Sequence, residues 1–212
     1  PGAHFAVRQV VSNERGGTDC QVSLEDGVWG RLSLAIPGRH NALNATAALL
    51  VADLLGLDRS AVAGVLSQFR GTLRRFEVKG ERAGVTVIDD YAHHPTQVRA
   101  TLAAARQRFP GQRIWAVFQP HTFSRTKALL GELSTCFGAA DEVIITDIYA
   151  ARAHERAIIS PEELVSAIQH ERVRHIGGLD QAVAYLLRHL RAGDVLLTLN
   201  AGDAYLIGER VL

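Results

Sequence analysis

From His4 to Ile36 apolar and polar positions alternate, as in Phe5-Ala6-Val7-Arg8-Gln9-Val10, Cys20-Gln21-Val22-Ser23-Leu24 and Trp29-Gly30-Arg31-Leu32-Ser33-Leu34. Turn-forming residues separate these runs at Asn13 to Thr18 and at Glu25-Asp26-Gly27. A period of two broken by such clusters predicts a small antiparallel meander. Two helices follow: Asn41 to Leu55, rich in Ala and Leu and stopped by Gly56, then Ser60 to Phe69, capped by Asp58 or Ser60.

Beyond Gly71-Thr72 the pattern changes to short apolar runs alternating with amphipathic segments, which places a domain boundary between residues 71 and 72. Strands are predicted at Phe76 to Gly80, Val85 to Asp89, Ile114 to Phe118, Val143 to Thr146, Val173 to Ile176 and Val195 to Leu199. Helices are predicted at Thr96 to Arg108, Arg125 to Phe137, Pro161 to His170 and Asp180 to Arg191. This alternation indicates an α/β domain with a mostly parallel sheet, whose ligands lie beyond the carboxyl ends of the strands.

Composition narrows the function classes. With 47% hydrophobic and 21% charged residues over 212 positions, the chain has the balance of a folded protein and excludes disorder. Lys+Arg 23 against Asp+Glu 22 leaves a net charge of +1, so nothing draws it generally to nucleic acid or an anionic membrane. No apolar run approaches the ~18 residues of a span, and no signal pattern opens the chain. Cys20 and Cys136 form no C-x-x-C pair, which argues against a disulfide framework or zinc site and for a reducing cytoplasm. The absence of methionine and the opening Pro1 predict the C-terminal part of a longer chain.

Polar clusters interrupt the pattern where strands or loops hand over to helices. In Gly38-Arg39-His40-Asn41-Ala42-Leu43-Asn44-Ala45, the i,i+3 pair Asn41 and Asn44 shares one helix face. Two carboxamides there suit a purine or ribose edge, or Asn41 caps the helix and Asn44 pairs locally. Arg74-Arg75-Phe76-Glu77 follows the boundary and offers guanidinium groups for a phosphate or a solvated face. Asp89-Asp90-Tyr91-Ala92-His93-His94-Pro95-Thr96 gathers two carboxylates and two imidazoles at one strand's carboxyl end, an arrangement costly to keep for packing alone. The structural alternative has Asp89 or Asp90 capping the loop and the histidines stacking on the surface; metal binding is a further alternative, though the consecutive histidines lack the i,i+4 spacing of a helical metal site. Phe118-Gln119-Pro120-His121-Thr122-Phe123-Ser124-Arg125 sets His121 and Arg125 over the same edge as a positive pocket for a carboxylate or phosphate, or Arg125 and Lys127 simply face solvent. Leu199-Asn200-Ala201-Gly202-Asp203-Ala204 reads as a structural turn. No G-x-x-x-x-G-K-[ST] run occurs, so independent nucleotide hydrolysis is not expected.

In this order the clusters resemble the Mur ligase family, the ATP-dependent amide ligases of peptidoglycan precursor synthesis. Gly38 to Ala45 resembles the end of the family's central ATPase domain, Arg74 to Glu77 its interdomain arginine motif, and Asp89 to Thr96 its C-terminal signature. The run from Phe118 to Thr126 is closest to the member that adds L-alanine.

The resemblance implies that residues 1–71 are the tail of the central ATP-binding domain and residues 72–212 the Rossmann-like C-terminal domain. It implies that an upstream UDP-binding domain and P-loop complete the enzyme, so this chain alone is inactive. ATP and Mg²⁺ are the implied cofactors, and UDP-N-acetylmuramate and L-alanine the implied substrates, joined through an acyl phosphate. His40, Asn41 and Asn44 would surround the nucleotide, one of Arg74 and Arg75 would reach its phosphates, and one of Asp89 and Asp90 would approach the ribose. His93, His94, His121 and Arg125 would face the amino acid or the UDP-sugar carboxylate, with His93, His94 and Arg125 in catalytic roles. Two departures stand out: Thr122 occupies a position where some members carry a second arginine, and Asn200 one where glycine is usual, compatible with a left-handed backbone. The competing readings are a tripeptide-adding UDP-N-acetylmuramate recycling ligase and a non-catalytic nucleotide- or partner-binding module.

Overall fold

The computed structural model describes residues 5–24, 27–151 and 156–212. His4, Glu25 and Asp26, assigned above to the meander and its turn, lie outside the described residues. The chain divides into two compact units, residues 1–71 and 72–212.

In the first unit, β1 (Phe5–Ser12), β2 (Thr18–Leu24) and β3 (Gly27–Leu34) form an antiparallel sheet in the order β1-β2-β3. Alternation puts Val7, Cys20, Val22, Leu32 and Leu34 on one buried face, covered by Ala42, Ala45 and Leu49 of α1 (Arg39–Leu54). In α2 (Arg59–Gln68) the Asp58 carboxylate accepts the Ala61 N–H at 2.8 Å, so of the two caps offered by the sequence, Asp58 and Ser60, Asp58 is the N-cap. The start of α1 corrects the capping alternative for Asn41. Gly38 is the N-cap, at φ 100, and Asn41 lies in the first turn with its Nδ2 donating back to the Pro37 carbonyl at 2.7 Å.

The second unit carries a six-stranded sheet in the order β4-β5-β9-β6-β7-β8. Its strands are β4 (Glu77–Arg82), β5 (Val85–Asp90), β6 (Ile114–Phe118), β7 (Glu142–Ile145), β8 (Val173–His175) and β9 (Val195–Leu199). All neighbours pair in parallel except β4 and β5, which form an edge hairpin. Every residue of β6 and β9 is buried, as expected of parallel strands covered on both faces. The period of two divides them: Ile114, Ala116 and Phe118 join one core with Val98 and Leu102, whereas Trp115 and Val117 join the other with Leu186 and Ile207.

The covering helices are α3 (Pro95–Arg108), α4 (Phe123–Ala128), α5 (Leu130–Leu133), α6 (Pro161–Ala167), α7 (Leu179–His189) and α8 (Tyr205–Val211). They depart from the sequence reading in three places. The single helix expected from Arg125 to Phe137 is two: Thr122 caps it earlier, and it breaks at Leu129, where φ −99 and ψ 10 leave the helical basin. The helix expected to reach His170 stops at Ala167, because Ile168 turns extended. The βα turn at Leu199–Ala204 leads into a helix for which the sequence reading gives no bounds: α8 seals the sheet by Ile207 and Val211, and Gly208 lets it approach so closely that a Cβ there would lie 2.9 Å from Val87 Cγ1.

At the amino edge of the sheet, Arg113 grips Asp194 with Nε at 3.0 Å and Nη2 at 2.6 Å, and Trp115 Nε1 donates to the same carboxylate at 3.1 Å. Burial opposes ionisation of Asp194, but the bonds from Arg113 and the Arg191 N–H outweigh it and hold its carboxyl below the ordinary 3.8. As pH falls the unfolded chain therefore takes up this proton first. The contribution is present above the ordinary value and lost as pH falls through the lower, folded-state value. Asp194→Asn is expected to flatten the acid limb of stability followed by chemical denaturation against pH; an unchanged limb would contradict this role.

Candidate functional site

The carboxyl edge of the second sheet collects the polar clusters that follow residue 72, and one arginine organises it. Arg74 sits at φ 56 and Phe76 at φ 49, two left-handed non-glycine residues within three positions, a conformation that surrounding bonds must hold. The Glu77 carboxylate accepts the Arg74 N–H at 2.8 Å, the Asp90 carboxylate accepts the Phe76 N–H at 2.8 Å, and the Arg74 carbonyl accepts the Tyr91 N–H at 2.8 Å. The Arg74 guanidinium then reaches across the edge. Nε donates to Asp89 Oδ2 at 2.9 Å and Nη2 to both Asn200 Oδ1 at 2.7 Å and the Asn200 carbonyl at 3.0 Å. Tyr91 and Tyr205 flank it at 5.0 and 4.8 Å.

Both carboxylates of the signature are buried and bonded. Asp89 Oδ1 accepts from Thr198 Oγ1 at 2.7 Å and Asn200 Nδ2 at 3.1 Å. Asp90 Oδ1 accepts the Ala92 N–H at 2.8 Å. Burial pushes the Asp90 carboxyl above its ordinary range, against the pull of the Phe76 and Ala92 amides. Asn200 is wholly buried and is not among the left-handed residues; its carboxamide instead bridges Arg74 and Asp89, which is why a side chain stands at this turn.

The groups left facing the edge are cationic or aromatic. His93 Nδ1 lies 2.9 Å from the Tyr91 carbonyl, and because a carbonyl only accepts, that nitrogen carries the hydrogen. Burial lowers the His93 pKa, and the charges of Arg125 and Arg75 add to the effect. His94 is the N-cap of α3, its Nδ1 accepting the Thr96 N–H at 3.3 Å while Gln97 closes the capping box. His121 lies 6.0 Å from His93 ring to ring, and its Nδ1 is 3.4 Å from Arg125 Nη1. Thr122, at φ 67, turns its hydroxyl to the Arg125 N–H as the α4 cap, so no second guanidinium is supplied there. Arg75 is exposed over Tyr91 at 5.5 Å. Among the described residues, neither Arg75 nor Arg125 forms a salt bridge.

The geometry thus brings together Arg74, Arg75, Asp89, Asp90, His93, His121 and Arg125 and separates their roles. His40, Asn41 and Asn44 lie at the start of α1 in the first unit, with Asn44 exposed. Two contributors were missed. Gln119 is buried and ties β6 to the last turn, its Nε2 donating to Asp203 Oδ1 at 2.7 Å and its Oε1 accepting the Asp203 and Ala204 N–H groups. Tyr149 stacks on His121 at 5.5 Å. An amide directly after an apolar strand and an aromatic shortly after another were the available signals.

The family described as "Mur ligase, glutamate ligase domain" matches residues 74–202. The UDP-N-acetylmuramate--L-alanine ligase of Alkaliphilus metalliredigens is 44% identical over 99% of this chain and 46% of its own length. That of Caldanaerobacter subterraneus is 46% identical over 98% of this chain and 45% of its own. The chain therefore spans about half the length of the curated relatives it matches. The crystal structure of UDP-N-acetylmuramate-alanine ligase from Thermotoga maritima superposes with a TM-score of 0.79 at 27% identity, covering 98% of this chain and 45% of that one.

The buried knot and the open cations are expected to respond differently to mutation. Asp89→Ala strands Arg74 and should cost about 3–5 kcal/mol of stability, whereas Arg75→Ala should stay within about 0.5 kcal/mol; equal losses in thermal denaturation would contradict the division. The His93 ring should titrate with a midpoint below the ordinary 6.5 when followed by NMR. A midpoint above it would refute the neutral-imidazole assignment.

Proposed function

The chain belongs to the Mur ligase family, and on that premise we propose that it forms the amino-acid-binding part of an ATP-dependent ligase joining L-alanine to the lactyl carboxylate of UDP-N-acetylmuramate. The observation that carries this reading is the ledge of Arg75, His93, His121 and Arg125 at the carboxyl edge, with its two arginines free of salt bridges among the described residues. Such a ledge suits an anionic reactant, and the names of the relatives favour L-alanine as that reactant.

Each side chain then has a task. Arg125, steadied by His121, holds the α-carboxylate of L-alanine and so aims its amine. His93, neutral and protonated on Nδ1, keeps a lone pair on Nε2 that can accept a proton from the α-ammonium group. Arg75 rather than Arg74 reaches the nucleotide phosphates, since Arg74 is committed to Asp89 and Asn200. His94, Asp89 and Asp90 act by holding the loop, and His40, Asn41 and Asn44 retain the nucleotide-side role implied by the family. ATP supplies the phosphoryl group that activates the lactyl carboxylate. Attack of the alanine nitrogen on the resulting acyl phosphate forms the C–N bond and releases phosphate, while the surrounding cations offset charge on the tetrahedral intermediate.

Among the described residues no group of three or more His, Cys, Asp or Glu side chains could hold a metal ion, and Asp89 and Asp90 are already bonded. The Mg²⁺ implied by the family is therefore not assigned to residues of this chain. No helix is long and apolar enough to cross a membrane among the described residues. Free buried Cys20 and Cys136, together with nucleotide substrates, support a cytoplasmic setting.

In the full-length protein, Arg125→Ala is expected to raise the KM for L-alanine about 10- to 100-fold, the value of a lost charge-assisted contact, with little change in the KM for ATP. Arg75→Ala should show the reverse preference. Equal effects of Arg125→Ala on both substrates in steady-state kinetics would remove its assigned role.

A further inference from the structure

The segment after β7 brings Tyr149 onto the cationic ledge and fixes it there. Its ring stacks on His121 with 5.5 Å between centroids and 23° between planes. Its backbone is bound on both sides of the peptide: the Tyr149 N–H donates to the Pro120 carbonyl at 2.8 Å, and its carbonyl accepts the Thr122 N–H at 2.9 Å. The ring also lies against the last turn, where a Cβ on Gly202 would stand 2.8 Å from two of its carbons. At the foot of the segment, Asp147 Oδ1 meets His175 Nε2 at 2.9 Å, and His175 Nδ1 meets Glu162 Oε1 at 2.9 Å. Tyr149 nevertheless keeps 37% exposure as a residue. An aromatic face held this firmly yet left open is a wall rather than a piece of core.

We propose that Tyr149 sets the size of the amino-acid side chain that the site accepts. The proposal rests on the ligase reading above. An amino acid whose carboxylate is held by Arg125 lies beside His121, since Arg125 Nη1 is 3.4 Å from His121 Nδ1, and the Tyr149 ring covers that imidazole. A methyl side chain is short enough to stop before the ring. A branched side chain meets a ring that can retreat neither past His121 nor past Gly202, and overpacking excludes it. Each added methylene at such a wall changes the specificity ratio by roughly 10- to 200-fold.

The test compares kcat/KM for L-alanine and L-valine, measured as phosphate release from ATP with UDP-N-acetylmuramate, in the full-length protein and its Y149A, Y149L and Y149F variants. The L-alanine to L-valine ratio does not depend on the fraction of enzyme that folds. It should fall roughly tenfold or more in Y149A and in part in Y149L, while Y149F keeps it within about twofold because the ring remains. An unchanged ratio in Y149A and Y149L would overturn the proposal, as would a fall in Y149F equal to that in Y149A, which would assign discrimination to the hydroxyl. Loss of all turnover in the three variants would overturn it too, by making Tyr149 structural. Failure of the ligase reading itself appears separately, as wild-type protein that releases no phosphate with L-alanine.

Discussion

The salt bridge between Arg74 and Asp89 is the constraint on which the carboxyl edge depends. It joins the segment entering the second unit to the end of β5, and through Asn200 to the end of β9, so three lengths of chain far apart in sequence meet at one guanidinium. Two left-handed residues, Arg74 and Phe76, are tolerated because Glu77 and Asp90 take up their N–H groups. A carboxylate buried at 2% exposure, as Asp89 is, would be expensive without this partner. The knot therefore converts strained backbone and buried charge into a fixed platform.

Around that platform charge is distributed unevenly. The acidic groups are turned inward and saturated by Arg74, Thr198, Asn200 and backbone amides, whereas Arg75 and Arg125 look outward without carboxylate partners among the described residues. Burial and the neighbouring arginines keep His93 in its neutral form, so a base survives within a positive field. Separating bonded anions from outward cations in this way keeps one βα edge rigid while leaving positive groups open on it.

Much of this was legible in the sequence, because period and turn chemistry report backbone directly. The meander, α1 and α2, the six strands of the second sheet, and α3, α6 and α7 follow from alternation, caps and breakers. What escaped depended on long-range partners. The break at Leu129 and the early stop at Ala167 reflect local backbone choices that a periodic run conceals. The capping role of His94 looks like site chemistry until Gln97 is seen beside it, and the bridging role of the Asn200 carboxamide within its structural turn shows only once Arg74 is in place. Arg74 and Arg75 are indistinguishable as a dipeptide, yet one is the centre of the knot and the other is exposed. Tyr149 joins the site only through the register that sets the ends of β6 and β7 side by side.

The central claim is that this edge receives a single amino acid for ligation. It is tested most directly by phosphate release from ATP by the full-length protein in the presence of Mg²⁺ and UDP-N-acetylmuramate, comparing L-alanine with an L-alanine-led tripeptide. Stimulation by L-alanine, with little or none by the tripeptide, is the predicted result. Stimulation by the tripeptide alone would make the protein a recycling ligase, and no release with either would leave a binding module; either outcome contradicts the account.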